Sequence, residues 1–336
     1  MTEAKPAKTK IRIALADVQT GFARQFLQFA DERYEFELTE DRDADFVIHS
    51  CGGMDVLKYG GVRIFVTGEN VTPNFAISDY AIGFERMDFG DRYRWMPLFK
   101  VHGRHKPFTG PREPAAAALK EKTGFCAYVM SNTTDSDDYR SLIFDKLSEY
   151  KPVNSGGRWR NNVGGPVANK REFQAKHKFA IAFENCSHPG YLTEKFADAA
   201  ASNCIPIYWG DPTIAEVFNP KAFINCHDYD SLDAVVERVR EIDQNDDLYL
   251  QMMSEPWHVD GVEPESIRDS TYVHFLDHIF SQDREAAYRR NRGRWGMKTE
   301  QNLYDMHFRP HVHACKRFRS FWRKHYPKYL PWLKRR

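Results

Sequence analysis

Long hydrophobic runs are missing from this chain. Apolar residues fill 42% of its 336 positions, yet no window approaches the ~18 consecutive apolar residues that a membrane-spanning helix needs. The opening segment, MTEAKPAKTK, is polar and holds no apolar signal core. Cysteine is sparse and scattered: six residues, at 51, 126, 186, 204, 226 and 315, without a CxxC pair. That excludes a dense disulfide framework and suits the reduced thiols of a cytosolic protein. Net charge is only +1, so no global field selects nucleic acid. The glycine-rich stretch NSGGRWRNNVGG, at 154–165, is neither GxGxxG nor a P-loop. No repeat of solenoid period occurs. No convincing Asp-x-Asp metal motif stands at a predicted strand end, and the acidic run Asp135, Asp137, Asp138 lies in a loop.

What is present is a length that suggests two domains, with enough apolar content for two cores. Short apolar runs at Ile11–Val18, Phe36–Leu38, Asp45–His49, Val62–Thr67 and Tyr80–Phe84 predict strands. Phe22 to Tyr34 carries helical spacing between the first two. In the second half, Phe125–Met130, Phe179–Phe183, Ile205–Trp209 and Pro220–Cys226 read as strands, and Tyr139–Glu149, Tyr191–Ser202 and Ser231–Asp243 as helices. Strands alternating with helices predict an α/β fold with mainly parallel sheets. Helical patterns recur at 266–290 and 300–308. The proline-containing segment 102–123 reads as the interdomain linker.

Open α/β sheets bind ligands beyond the carboxyl ends of their strands. The stretch FENCSHPGYLTEK at 183–195 is such a place, a strand end leading into a helix. It offers Asn185, Tyr191, Thr193, Glu194 and Lys195. A lysine in the first helical turn adds its charge to the positive end of the helix, which suits a phosphorylated ligand. Ser131 and Asn132 close another strand, and Arg140 opens the next helix on the same sheet edge. Glu69 follows Gly68 at a strand end of the first half. Read from pattern only, the Glu194–Lys195 pair, Glu69 and Arg140 are equally ordinary surface charges. Asp88, Asp91, Arg92, Tyr93 and Trp95, in FERMDFGDRYRWMPLF, offer the aromatic faces and carboxylates that sugars use, or are core and solvated face.

FENCSHPGYLTEK followed by IPIYWG resembles the donor-binding motif of glycosyltransferase family 10, the α1,3/4-fucosyltransferases. TGENVTPNFAISDYAIGF is similar to the loop that carries the family's proposed general base. The resemblance is strongest over 178–226 and weakest before 60 and after 260. It implies a GT-B architecture, two Rossmann-like domains facing across a cleft: residues 1–118 for the acceptor, 119–305 for the donor, and 306–336 as a C-terminal helix and basic aromatic tail. It implies GDP-β-L-fucose as donor, and inverting transfer to O3 of GlcNAc or glucose in an oligosaccharide or glycolipid. It also implies Glu69 as base, Glu194 at the developing positive charge, and Ser131, Asn132, Arg140, Asn185, Tyr191 and Lys195 at the donor. Asn70, Asp88, Arg92 and Trp95 are expected at the acceptor. No cofactor and no essential divalent metal are expected, since two cations and a helix start serve the diphosphate. The alternatives are a GT-B transferase for another nucleotide sugar and a non-catalytic nucleotide-sugar binder. The family's animal members carry an N-terminal anchor and stem; a bacterial-type cytoplasmic enzyme is expected here. Residues 316–336 hold nine Lys/Arg, no acid and six aromatics. A helix over 311–325 is expected, packed on the first domain or on a membrane, and the tail is expected to meet the anionic inner face of the cytoplasmic membrane.

Overall fold

Alternating short apolar strands and helices wind into two parallel sheets. The computed structural model describes residues 7–102, 108, 112, 115–131, 134 and 136–325. The first sheet comprises β1 (Thr9–Ala16), β2 (Tyr34–Thr39), β3 (Phe46–His49), β4 (Val62–Val66), β5 (Tyr80–Gly83) and β6 (Tyr93–Trp95), in the order β2-β1-β3-β4-β5-β6. The second comprises β7 (Gly124–Tyr128), β8 (Val153–Ser155), β9 (His177–Phe183), β10 (Ile205–Trp209) and β11 (Ile224–Asn225), in the order β11-β10-β9-β7-β8. Every pairing is parallel. Counted from its own first strand, the second sheet repeats the winding of the first. The strand order reverses between β1 and β3, and again between β7 and β9, which are the switch points where such sheets bind ligands.

The helices are α1 (Thr20–Leu27), α2 (Leu98–Val101), α3 (Ala115–Lys120), α4 (Tyr139–Tyr150), α5 (Lys170–Ala175), α6 (Glu194–Ala201), α7 (Leu232–Gln244), α8 (Asp246–Ser254), α9 (Asp269–Phe280), α10 (Arg284–Ala287), α11 (Arg294–Phe308) and α12 (Pro310–His325). Strands β4, β9 and β10 read as near-continuous apolar runs because helices cover both faces of a parallel sheet. The helix expected over 22–34 stops at Leu27. Tyr34 instead opens β2, its ring 5.6 Å from Phe280 and its hydroxyl donating to Asp277. Strands β6 and β8 are three residues each, too short to show a period.

Three cores result. Helices α4, α7 and α8 cover one face of the second sheet through Ile143, Leu147, Val235, Val239 and Met253. A further cluster is shared between the domains. It joins Phe65, Tyr93, Trp95 and Phe99 of the first to Phe196, Tyr208 and Phe218 of the second. The first sheet is covered by a segment from the far end of the chain. In α9, Tyr272, Phe275, Leu276, Ile279 and Phe280 form an apolar stripe at helical spacing that packs on Phe26, Tyr34, Phe46 and Ile64. Leu303, Tyr304 and Phe308 of α11 pack on the opposite face, near Val47 and Val56.

The donor domain expected as unbroken over 119–305 therefore ends earlier, and the chain returns to the first domain at Asp269. The return is locked by a buried ion pair, Arg290 with Asp79, and by Arg63 with Glu300 at 2.7 Å. In the expected linker, α3 sits beside α8, and Arg112 donates to the carbonyls of Met252 and Glu255. Helix α12 pairs with α11 through Lys316 and Asp305, leaving Phe318 and Phe321 exposed. The tail beyond 325, with its expected membrane contact, lies outside the described residues, as do Asn132 and Asp135.

Candidate active site

The loop from β9 to α6 carries the site. The helix expected to begin at Tyr191 begins at Glu194, with Thr193 in extended conformation before it. Residues 184–193 are thus free to run between the domains. Glu184, fully buried at the end of β9, anchors the loop. Its carboxylate accepts the Thr193 amide at 2.8 Å, the Thr193 hydroxyl at 2.6 Å and the Lys195 ammonium at 3.0 Å. Burial pushes the Glu184 carboxyl up, and Lys195 pulls it back. Burial likewise opposes charge on Lys195, but Glu184 and then Glu194 outweigh it and raise the ammonium above the usual lysine range. Lys195 is therefore a fixed cation at the first turn of α6. Glu194, 3.7 Å from Lys195, is pressed upward by burial. Lys195 and Lys170 reverse this and hold its carboxyl at about 2.

At the switch point of the second sheet, Arg140 at the start of α4 donates to the Asn185 side chain at 3.0 Å, so the β7 and β9 loops are tied over one spot. The Asn185 carbonyl accepts the Asp137 amide at 2.8 Å, and the Asp137 carboxylate accepts the Tyr139 amide. That acid is occupied at the helix start. Ser131 accepts the amide of Arg158 in the glycine-rich loop, and this loop packs on the end of β7, where the Met130 carbonyl receives the Trp159 amide.

Gly190 and Leu192 make the interdomain joint. The Gly190 carbonyl accepts the Trp95 indole N–H at 2.9 Å, and the Gly190 amide donates to Asp211 at 2.8 Å. The Leu192 carbonyl accepts the Leu98 amide. Gly190 has φ +88, and a Cβ there would lie 2.1 Å from the Phe84 carbonyl oxygen, so the position takes glycine. The Tyr191 ring enters the first domain's core, 4.9 Å from Phe84. Its hydroxyl is raised by burial, then by Glu184 and by Glu69, which puts Glu69 within electrostatic reach of the donor loop. Glu69 itself is exposed beyond β4, its amide and carbonyl both bonded to the Thr67 hydroxyl. Next to it, Asn70 donates to the Cys186 sulfur at 3.5 Å, across the cleft.

The structure thus brings together Glu69, Asn70, Asn185, Tyr191, Glu194, Lys195 and Arg140, with Ser131 at the edge. It separates three residues expected at the acceptor. Trp95 is buried beneath Gly190. Arg92 donates to the carbonyls of Asp79, Phe75 and Ser78. Asp88 is exposed and closes a turn onto the Gly90 amide. Sequence reasoning missed Glu184 and Asp211 as supports. The available signal was a carboxylate directly after an apolar strand, at Phe183–Glu184 and at Trp209–Gly210–Asp211.

Residues 119–280 match the family model described as "Glycosyltransferase family 10 (fucosyltransferase) C-term", and residues 13–102 match "Alpha-(1,3)-fucosyltransferase FucT N-terminal domain". The chain is 38% identical over 232 residues to Alpha-(1,3)-fucosyltransferase FucT of Helicobacter pylori, covering 60% of this chain and 48% of that protein. It spans about half the length of the curated relatives it matches. A crystal structure of an α1,3-fucosyltransferase with GDP-fucose superposes with a TM-score of 0.72 at 30% identity, covering 84% of this chain and 94% of that one. An Anabaena protein, Alr3699/HepE, in complex with UDP and glucose, shares the fold, with a TM-score of 0.51 at 6% identity. The architecture is GT-B.

Proposed function

This chain belongs to glycosyltransferase family 10, the fucosyltransferases, and from that membership we propose that it transfers L-fucose from GDP-β-L-fucose to an oligosaccharide hydroxyl with inversion, giving an α-fucoside. The observation that carries the reading is the β9–α6 loop. It fixes Lys195 at a helix start beside Arg140, and it faces Glu69 of the other domain. Glu69 takes the proton from the acceptor hydroxyl as general base. The freed oxygen pair forms the new bond to the anomeric carbon from the face opposite GDP. The bond to the diphosphate oxygen breaks with its electrons, and GDP leaves. Positive charge gathers on the sugar ring in between, as in glycoside hydrolysis. Glu194, ionised throughout, stabilises it. Arg140, Lys195 and the start of α6 stabilise the leaving diphosphate. Ser131, Asn132, Asn185 and Tyr191 complete the donor site, and Asn70 adjoins the acceptor.

The acceptor we propose is O3 of GlcNAc or glucose in an oligosaccharide or glycolipid, and the reaction needs no divalent metal. The exposed Phe318 and Phe321 of α12, among cations, support peripheral contact with an anionic membrane from the cytoplasmic side; no helix among the described residues is long and apolar enough to cross one. A glycan array with labelled GDP-fucose, run with and without EDTA, tests the reading. Fucose incorporation that survives EDTA is expected. Loss with EDTA and rescue by Mn²⁺ overturns the metal-free mechanism, and no incorporation on any acceptor overturns the transfer.

A further inference from the structure

The end of β5 sits where both catalytic loops pass. Glu85, two residues beyond that strand, is partly buried and has a partner in each of them. The Thr72 hydroxyl, three residues after Glu69, donates to one carboxylate oxygen. Nε2 of His188, three residues before Tyr191, lies 3.1 Å from the other. A carboxylate only accepts, so this imidazole nitrogen carries the proton. Burial works to raise the Glu85 carboxyl, but Thr72 and His188 draw it below the ordinary glutamate range, so it stands ionised between them. The Tyr93 hydroxyl donates to the Glu85 carbonyl at 2.9 Å and fixes the backbone. The next residue, Arg86, also turns to the second domain: its guanidinium lies 3.5 Å over the Trp95 ring and 3.8 Å from Asp211.

Without Glu85 the loop of Glu69 keeps, among the described residues, one hydrogen bond to the donor loop, the long Asn70–Cys186 bond. The loop is otherwise held to its own domain: Thr67, just past β4, holds Glu69 in place, and Asn74 bonds Ala76, Ile77 and Ser78. A base on one domain and a leaving group on the other must be placed to within a fraction of an ångström. We propose that Glu85 is a positioning residue, a strap that couples the loop carrying Glu69 to the loop carrying Tyr191, Glu194 and Lys195. It touches no substrate. It sets where the base stands once the donor is bound. The proposal rests on Glu69 being the base.

The test compares Glu85→Ala, Glu85→Gln, Thr72→Val and His188→Ala with the wild type and Glu69→Gln. GDP affinity and thermal midpoint report a folded donor domain and are expected to hold. Turnover in Glu85→Ala is expected to fall about 10- to 100-fold, the size of a misplaced catalytic group. Glu85→Gln, which still accepts from Thr72, recovers part of it. The decisive readout is non-additivity: Thr72→Val and His188→Ala each lower turnover in the wild type and do nothing further in Glu85→Ala. Equal losses in both backgrounds, or full turnover in Glu85→Ala, overturn the strap while leaving the base assignment intact. Full turnover in Glu69→Gln overturns the base assignment. Hydrogen exchange then still decides on the coupling: GDP slows amide exchange at 69–72 in the wild type and fails to in Glu85→Ala, and equal slowing in both contradicts it.

Discussion

A cation helps a departing diphosphate only if it is charged and held still, and Lys195 is both because Glu184 is buried beside it. Lys195→Ala has two expected effects. GDP affinity drops by about 1.5–3 kcal/mol, the value of a charge-assisted contact. The thermal midpoint drops too, because a buried carboxylate loses its counter-charge. Calorimetry and a thermal melt separate them; wild-type GDP affinity contradicts the assignment. Glu69→Gln keeps shape and removes basicity, so turnover falls by about 10²–10⁴-fold with GDP binding unchanged. Glu194 has its carboxyl lowered from 4.5 to about 2. Its ionised form is fully present above 4.5 and is lost only as pH falls towards 2. The Glu194 contribution to turnover is therefore expected to stay constant above pH 4.5; a Glu194→Gln loss of turnover that changes between pH 7 and pH 5 contradicts it. The positions of Lys195, Arg140 and Glu69 just beyond strands were legible because strand ends are legible. Asp211 was not, since its work is to hold the Gly190 amide, 21 residues away, and no local pattern encodes that.

At the scale of elements, the β9–α6 loop shows where periodicity misleads. Tyr191 and Leu192 continue the apolar spacing of α6, so the sequence reads as helix from Tyr191. The structure spends both residues on the other domain, and the helix waits for Glu194. The interdomain joint depends on a left-handed glycine. Gly190→Ala brings a strained φ, costing about 1–3 kcal/mol, and drives a Cβ into the Phe84 carbonyl. Its expected result is a lower thermal midpoint together with a loss of turnover larger than the loss of GDP affinity, since the donor loop is displaced against the first domain. Wild-type turnover at a lowered midpoint would leave Gly190 a purely structural residue. The stop at Asn203 was legible: it takes φ +54, the left-handed end that asparagine tolerates.

Across the whole molecule, the first sheet is finished by chain that comes after the second. The stripe on α9 was visible as a helical pattern, but an apolar stripe does not name the sheet it covers, and the boundary expected at 305 belongs near 269. The first sheet also sets a pH dependence, to which the returning segment adds Arg290. His49 is buried against Phe65 and the Ser78 hydroxyl. Burial first, then Arg63 and Arg290, lowers its pKa from 6.5 to about 3. The folded state keeps it neutral, while the unfolded chain binds a proton below 6.5. Stability from this group is thus complete above 6.5 and erodes as pH falls towards 3. Urea midpoints at pH 7.5 and pH 5 are expected to differ, and His49→Gln to narrow the difference; an unchanged difference rules His49 out as its source.

The roles proposed for base, donor loop and cleft converge on one stereochemical outcome, attack from the face opposite GDP. Proton NMR of the product formed from GDP-β-L-fucose and an N-acetyllactosamine or lactose acceptor reads it directly. A single α-L-fucosyl anomer is the predicted result, and a β-linked fucoside, or no product from protein that binds GDP, would contradict it.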